Sequence, residues 1–157
     1  MLFRCARIKY CLFAAIAFGC AALSAEEGFV AMRTEGQLTY FKGTATLQGK
    51  VERRADPTTL ELMGDRICFE ALGPSKTLIP RSPDDGRTAW FCFDDHKEAL
   101  NLLKLPRSPL KATCGYEAHA TVRVTSYLLN REESEVTDLA KLVSVVARGP
   151  IRSIKCQ

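Results

Sequence analysis

The run from Thr39 to Val51 constrains the fold more than any other part of the chain. Phe41, Ala45, Leu47 and Val51 fall on one side, with Gly43 and Gly49 among them, and Tyr40, Lys42, Thr44, Thr46, Gln48 and Lys50 on the other. Side chains of extended backbone alternate between faces, so period two predicts a strand buried on one face. The run is long for a strand, and glycines inside strands mark bulges or bends. A long, bent first strand can serve both halves of a small barrel.

Further along, Asp56-Pro57 breaks the pattern. The next run spans residues 60–72 with Gly64-Asp65 inside it, and Ile67, Phe69 and Ala71 alternate there against Arg66, Cys68 and Glu70. Gly73-Pro74 and Ser82-Pro83-Asp84-Asp85-Gly86 supply turn chemistry around a short apolar segment at 77–79. Thr88 to Phe93 is rich in aromatic residues and predicts a strand. The period then changes. Asp95 with Glu98 three residues on, before Ala99, Leu100, Leu102 and Leu103, reads as a capped helix start, and Pro106 and Pro109 end the helix. Tyr116 to Leu129 is a second long strand, with Ala118, Ala120, Val122 and Val124 on one face. A polar turn at 130–134 leads into the last strand-like run, 136–147, although 138–142 also fits a helix, and Gly149-Pro150 stops it.

The amino terminus has a different character. Arg4, Arg7 and Lys9 precede an uncharged apolar run from Cys11 to Leu23, followed by Ser24-Ala25 and the acidic pair Glu26-Glu27. A basic start, a short apolar centre and a small-residue exit are the marks of a secretory signal peptide, and the run falls short of the roughly 20 residues a membrane span needs. The expected division is therefore a cleaved leader, 1–25, and one domain, 26–157. Ala17-Phe18-Gly19-Cys20 resembles a lipoprotein box, though Ala17 and Phe18 fit the pattern poorly; lipid on Cys20 would anchor the protein to a membrane surface.

Removing the leader changes the charge. The basic residues drop from 22 to 19 against 18 acidic ones, which argues against a nucleic-acid partner. Of the cysteines, Cys68, Cys92, Cys114 and Cys156 remain. An even four in an exported domain predicts two disulfides with three possible pairings. The expected pairs are Cys92–Cys114, bracketing the helix, and Cys68–Cys156, tying down the tail. No CxxC is present, which weakens a zinc reading.

The order strand, strand, strand, helix, strand, strand resembles the OB-fold, a five-stranded Greek-key barrel with one helix between its third and fourth strands. The resemblance covers about residues 37–147 and rests on element order and the bent first strand. A small β-sandwich with one helix at its edge is the alternative.

Chemistry-bearing residues are sparse. His96 beside Asp94 and Asp95 is a candidate metal ligand, but aspartates at a helix start more often cap free amides. His119 lies on the strand face opposite Ala118 and Ala120, with no partner close in sequence. There is no GxSxG, HExxH or glycine-rich phosphate loop. The expectation is a non-enzymatic protein with no cofactor and no metal.

Binding is more open. In OB-like barrels the ligand face is on strands two and three with the loops joining one to two and four to five. That resemblance implies a surface holding Arg53, Arg54, Arg66, Glu70, Trp90, Tyr127, Asn130 and Arg131. Trp90 lies opposite in parity to Phe91 and Phe93, so if these are core it faces out. The leading expectation is an exported binding module, periplasmic rather than secreted or lipid-anchored through Cys20, whose partner is another protein in the cell envelope. It would serve as an inhibitor, an immunity protein or an assembly factor. A binder of oligosaccharide, nucleic acid or a small ligand, and a small metal-dependent hydrolase, are the alternatives.

Overall fold

A computed structural model describes residues 27–81, 85–108, 113–131 and 137–156. The expected leader, Cys20 and most of the turn at 130–134 lie outside the described residues. Among the described residues the chain is mainly β: seven strands in a single sheet, two α-helices and one 3-10 helix. The strands are β1 (Gly28–Glu35), β2 (Leu38–Arg54), β3 (Ile67–Ala71), β4 (Trp90–Phe93), β5 (Thr113–Asn130), β6 (Leu139–Arg148) and β7 (Arg152–Lys155). Helix α1 (Pro57–Met63) joins β2 to β3, the 3-10 helix Gly73–Leu78 follows β3, and α2 (His96–Leu103) lies between β4 and β5. No helix among the described residues is long and apolar enough to cross a membrane.

The alternation at 39–51 forms the heart of β2. Ala45, Leu47 and Val51 are fully buried, while Lys42 and Gln48 are exposed. On one side β2 pairs along its length with β5; on the other its first half pairs with β1 and its second half with β3. One strand can serve two neighbours on one side because it bends. Its register against β5 shifts between Tyr40 and Thr44, and Gly43 sits inside that shift at φ 128°, where a side chain would also collide with the Gly28 carbonyl.

The pairings return to their start: β2 with β3, β3 with β4, β4 with β6, β6 with β5, and β5 with β2. All are antiparallel except β4–β6, which is parallel and consists of two residue pairs, Cys92 with Leu139 and Phe93 with Ala140. All seven strands belong to one sheet, so the two-sheet sandwich is not the arrangement found. Inside lie Phe69, Phe91 and Tyr127, with Phe91 5.5 Å from Phe69 and 5.7 Å from Tyr127 between ring centroids. Each large side chain taken fully from water contributes about 1.5–3 kcal/mol. Helix α2 adds Ala99 and Leu103, both fully buried. It starts as expected, with the Asp95 carboxylate accepting from the Glu98 amide at 2.9 Å, and ends at Lys104 in the left-handed conformation.

Three expectations are corrected. The run 60–72 is not one element: Asp56 caps α1 by accepting from the Thr59 amide at 3.0 Å, Pro57 opens the helix, and Gly64 at φ 69° ends it before β3. Two strands, β1 and β7, were not anticipated. The last strand-like run is strand from Leu139 onward, as expected, and the helix alternative at 138–142 is not the one found. The disulfides are Cys68–Cys92 and Cys114–Cys156. Cys68 and Cys92 stand directly opposite each other in the β3–β4 register, with Cα atoms 3.8 Å apart. Pairing of β7 with the start of β5 brings Cys156, just beyond β7, to Cys114. Strand register, rather than the helix between them, decides which cysteines meet.

Candidate binding face around Trp90

On β3 and β4 the inward residues are Ile67, Phe69, Ala71, Phe91 and Phe93, so Cys68, Glu70, Trp90 and Cys92 share the outer face. The disulfide covers part of that face: Cys92 is fully buried and Cys68 nearly so. Trp90 lies half-buried at the edge of β4, opposite Glu70 in register. A cavity of about 90 Å3 opens beside it. Trp90 and Cys68 line one part, Arg54 and Glu52 of β2 another, and Thr59, Met63, Gly64 and Arg66 complete it from α1 and the turn after it.

The arginines differ in what holds them. Arg54 pairs with Glu52 and Asp56, each at 3.3 Å, and its charge is met. Arg66 is exposed and donates to the Thr137 hydroxyl at 3.0 Å; among the described residues it has no acidic partner. Glu70 is half-buried and 3.9 Å from Lys50, which is itself 3.2 Å from Glu52. Helix α1 buries none of its residues, and Leu60 and Leu62 are 39% and 56% exposed.

Arg53 is not on this face. It is 5% exposed and clamps three segments together. Its guanidinium grips Asp65 bidentately at 2.8 and 2.7 Å and donates to the carbonyls of Pro106 and Arg107. That guanidinium is the first cause of the Asp65 carboxyl lying below its ordinary range. His96 approaches Asp65 at 3.2 Å. Asp94 and Asp95 spend their carboxylates on the amides of Asp95 and Glu98. Among the described residues, no three His, Cys, Asp or Glu side chains converge as metal ligands would. His119 is exposed on the outer face of β5.

Tyr127 and Asn130 are also interior, 1% and 4% exposed. The cause is a kink. Ser126 takes the left-handed conformation at φ 54°, and the parity that buries Val122 and Val124 is reset so that Tyr127 turns inward. The Tyr127 hydroxyl donates to Asp138 at 2.6 Å, and the Asn130 backbone N–H donates to the same carboxylate at 2.9 Å. Arg81 pairs directly with Asp138, Arg87 lies 3.7 Å from it, and Arg87 grips Asp85 at 2.8 and 2.9 Å. Burial, followed by the Asp138 charge, holds the Tyr127 hydroxyl far above its ordinary range, so it stays protonated. Its bond to Arg87, above all, lowers the Asp85 carboxyl to about 2.

This cluster, unforeseen from the sequence, stands at the parallel seam: the Asp138 carbonyl accepts from the Cys92 amide at 2.9 Å, one residue before β6 begins. Arg131 does not line the cavity beside Trp90 but an open groove of about 380 Å3 walled by Phe29, Phe41 and Leu129. A wider open groove, about 570 Å3, runs elsewhere over Gln48, His119 and Arg148.

Of the residues expected at one surface, then, Arg54, Arg66 and Trp90 meet at the cavity and Glu70 stands opposite Trp90. Met63 and the exposed leucines of α1 were missed, because that segment reads as strand. No protein-family model matches the chain, and neither the curated proteins nor the solved structures contain a match to it.

Proposed function

We propose that this is an exported, periplasmic, non-enzymatic binding module that recognises another protein through the face around Trp90. The observation that carries the reading is Trp90, half-buried and lining one small cavity with Cys68 of the disulfide and with Arg66, an arginine with no acidic partner among the described residues. Tryptophan and arginine at the centre of a small pocket are the side chains that most often dominate binding energy at protein interfaces. The exposed leucines of α1 supply apolar area alongside. The polar groups nearby are engaged with one another, Asp65 with Arg53 and Asp56 with Arg54 and the Thr59 amide, which favours recognition over catalysis.

We read the ring of pairings from β2 through β3, β4, β6 and β5 as an OB-type barrel, with β1 and β7 as additions. The parallel β4–β6 contact and the position of α2 support it. In such barrels the ligand face is on the second and third strands with the loop after the first, which here are β3, β4 and the α1 segment. Two disulfides fit an oxidising compartment, and the leader-like first 25 residues fit export.

The test is capture from native envelope extract by the oxidised protein, with Trp90→Ala and Arg66→Glu as paired baits, followed by direct titration of the purified partner. The reading expects one stoichiometric protein that both variants lose. Retention by both variants refutes the face. Capture of glycan in place of protein transfers it to a sugar ligand, for which a tryptophan platform is equally suited.

A further inference from the structure

A second surface lies on the outer face shared by β2, β5 and β6. Lys141 of β6 stands opposite Thr125 of β5, and Arg123, two residues from Thr125 on the same face, stands between Thr46 and Ser144. Both cations are exposed. Arg148, exposed at the end of β6, lines the open groove with Gln48 and His119. The segments that build this face, 38–51, 118–130 and 139–156, contain no Asp or Glu. β6 also carries two residues more than β5 does. Leu142 stands opposite Val124 but Ser144 opposite Arg123, and Val145 stands opposite Val122 but Ala147 opposite Thr121. The residues left over are Val143 and Val146. Leu142 and Val145 pack inward, so each extra valine turns to the outer face, where they are 46% and 63% exposed.

We propose that this face docks on a membrane surface rich in anionic phospholipid. Val143 and Val146 enter the headgroup boundary, and Arg123, Lys141 and Arg148 meet the lipid phosphates. Exposed apolar side chains ringed by cations are what an anionic bilayer surface takes up, through buried apolar area and attraction to charged headgroups together. A soluble polyanion such as nucleic acid or a charged glycan would neutralise the cations but leave both valines in water, so the valines favour lipid. The cationic zone is bounded. Past Lys50 and His119, Glu52 and Glu117 stand opposite each other on β2 and β5. The acid-rich stretch 131–138 leads into β6 at the end away from Val146 and Arg148. A single acyl chain gives only marginal, reversible membrane binding, so three cations and two valines hold the protein reversibly as well.

The experiment is flotation with vesicles of phosphatidylcholine alone, or of phosphatidylcholine and phosphatidylglycerol in equal parts. The protein is purified from an exporting host that expresses the whole sequence with Cys20→Ser, so that no acyl chain contributes. The proposal expects flotation with the anionic vesicles only, weakening as salt rises. Arg123→Gln and Lys141→Gln each lower the partition coefficient about fivefold. Val143→Ser combined with Val146→Ser lowers it about tenfold. Val146→Trp in a Trp90→Phe background shifts its emission to the blue on anionic vesicles and is quenched by brominated lipid. Trp90→Ala leaves flotation unchanged, which separates this surface from the one around Trp90. The four substituted side chains of the face are exposed, and far-ultraviolet circular dichroism checks each variant's fold. No flotation with anionic vesicles overturns the proposal. So does flotation that the valine variant leaves intact, or equal flotation with both vesicle types. Binding to heparin or DNA with no dependence on the valines overturns the lipid reading in favour of a soluble polyanion.

Discussion

Replacing Asp138 with Asn tests whether the seam between β4 and β6 depends on buried charge. The Asp138 side chain is 1% exposed and faces Arg81, 13% exposed, and Arg87, 40% exposed. Asn keeps the size and can accept one of the bonds now made by the Tyr127 hydroxyl and the Asn130 backbone N–H. It cannot supply the negative charge. Removing one partner of a buried ion pair costs about 3–5 kcal/mol. Arg81 keeps the Thr88 and Trp90 carbonyls at 3.3 and 3.2 Å and Asp85 at 3.6 Å, which places the loss at the lower end, about 3 kcal/mol. Tyr127→Phe removes one hydrogen bond to a charged group and should cost about 1.5–3 kcal/mol. The double variant should lose less than the sum, because both changes act on one carboxylate. Urea unfolding of the oxidised protein by far-ultraviolet circular dichroism measures all three. A loss below about 0.5 kcal/mol for Asp138→Asn would refute the argument.

Other consequences follow from the same geometry. The Asp85 carboxyl lies at about 2, below its ordinary 3.8, so its stabilisation is present above pH 3.8 and is lost as the pH falls through about 2. Asp85→Asn should therefore lower stability at neutral pH by at most about 2 kcal/mol and flatten the acid limb between those values, read from urea midpoints along a pH series. The Cys114–Cys156 bond closes a separation of 42 residues, so replacing both with Ser should cost about 4 kcal/mol, while digestion of the unreduced wild type should release Cys68 joined to Cys92 and never to Cys156. Gly49→Ala would drive a methyl group into the Glu70 carbonyl and the Phe69 ring, and thermal melts should show a loss of about 1–3 kcal/mol; an unchanged melt would mean that β2 and β3 are not so closely apposed.

The sequence made β2, β4, α2 and most of β5 legible, because alternation and capping are local and strong there. What it concealed followed from interruptions of those rules. Ser126 resets the parity of β5, so Tyr127 was expected outside when it is core. Arg53 has the same parity as Val51 and by that rule belongs inside; its charge suggested otherwise, and only Asp65 and two distant carbonyls make its burial tolerable. Asp138 closes the acid-rich stretch 131–138, which reads as solvated and gives no local sign of two arginines more than 50 residues away. The cysteine pairing depended on strand register, which no spacing rule contains. At the site, Trp90 was legible from the parity of Phe91 and Phe93, whereas α1 was hidden by its resemblance to a strand.

Trp90 is the only tryptophan in the chain, so its fluorescence reports the proposed binding face directly. The decisive measurement is a titration of the oxidised protein with its captured partner, following Trp90 emission and its quenching by iodide, beside calorimetry of the same mixture. The account predicts a blue shift and protection from quenching that saturate at the calorimetric stoichiometry. Heat of binding with Trp90 emission and quenching unchanged would contradict it.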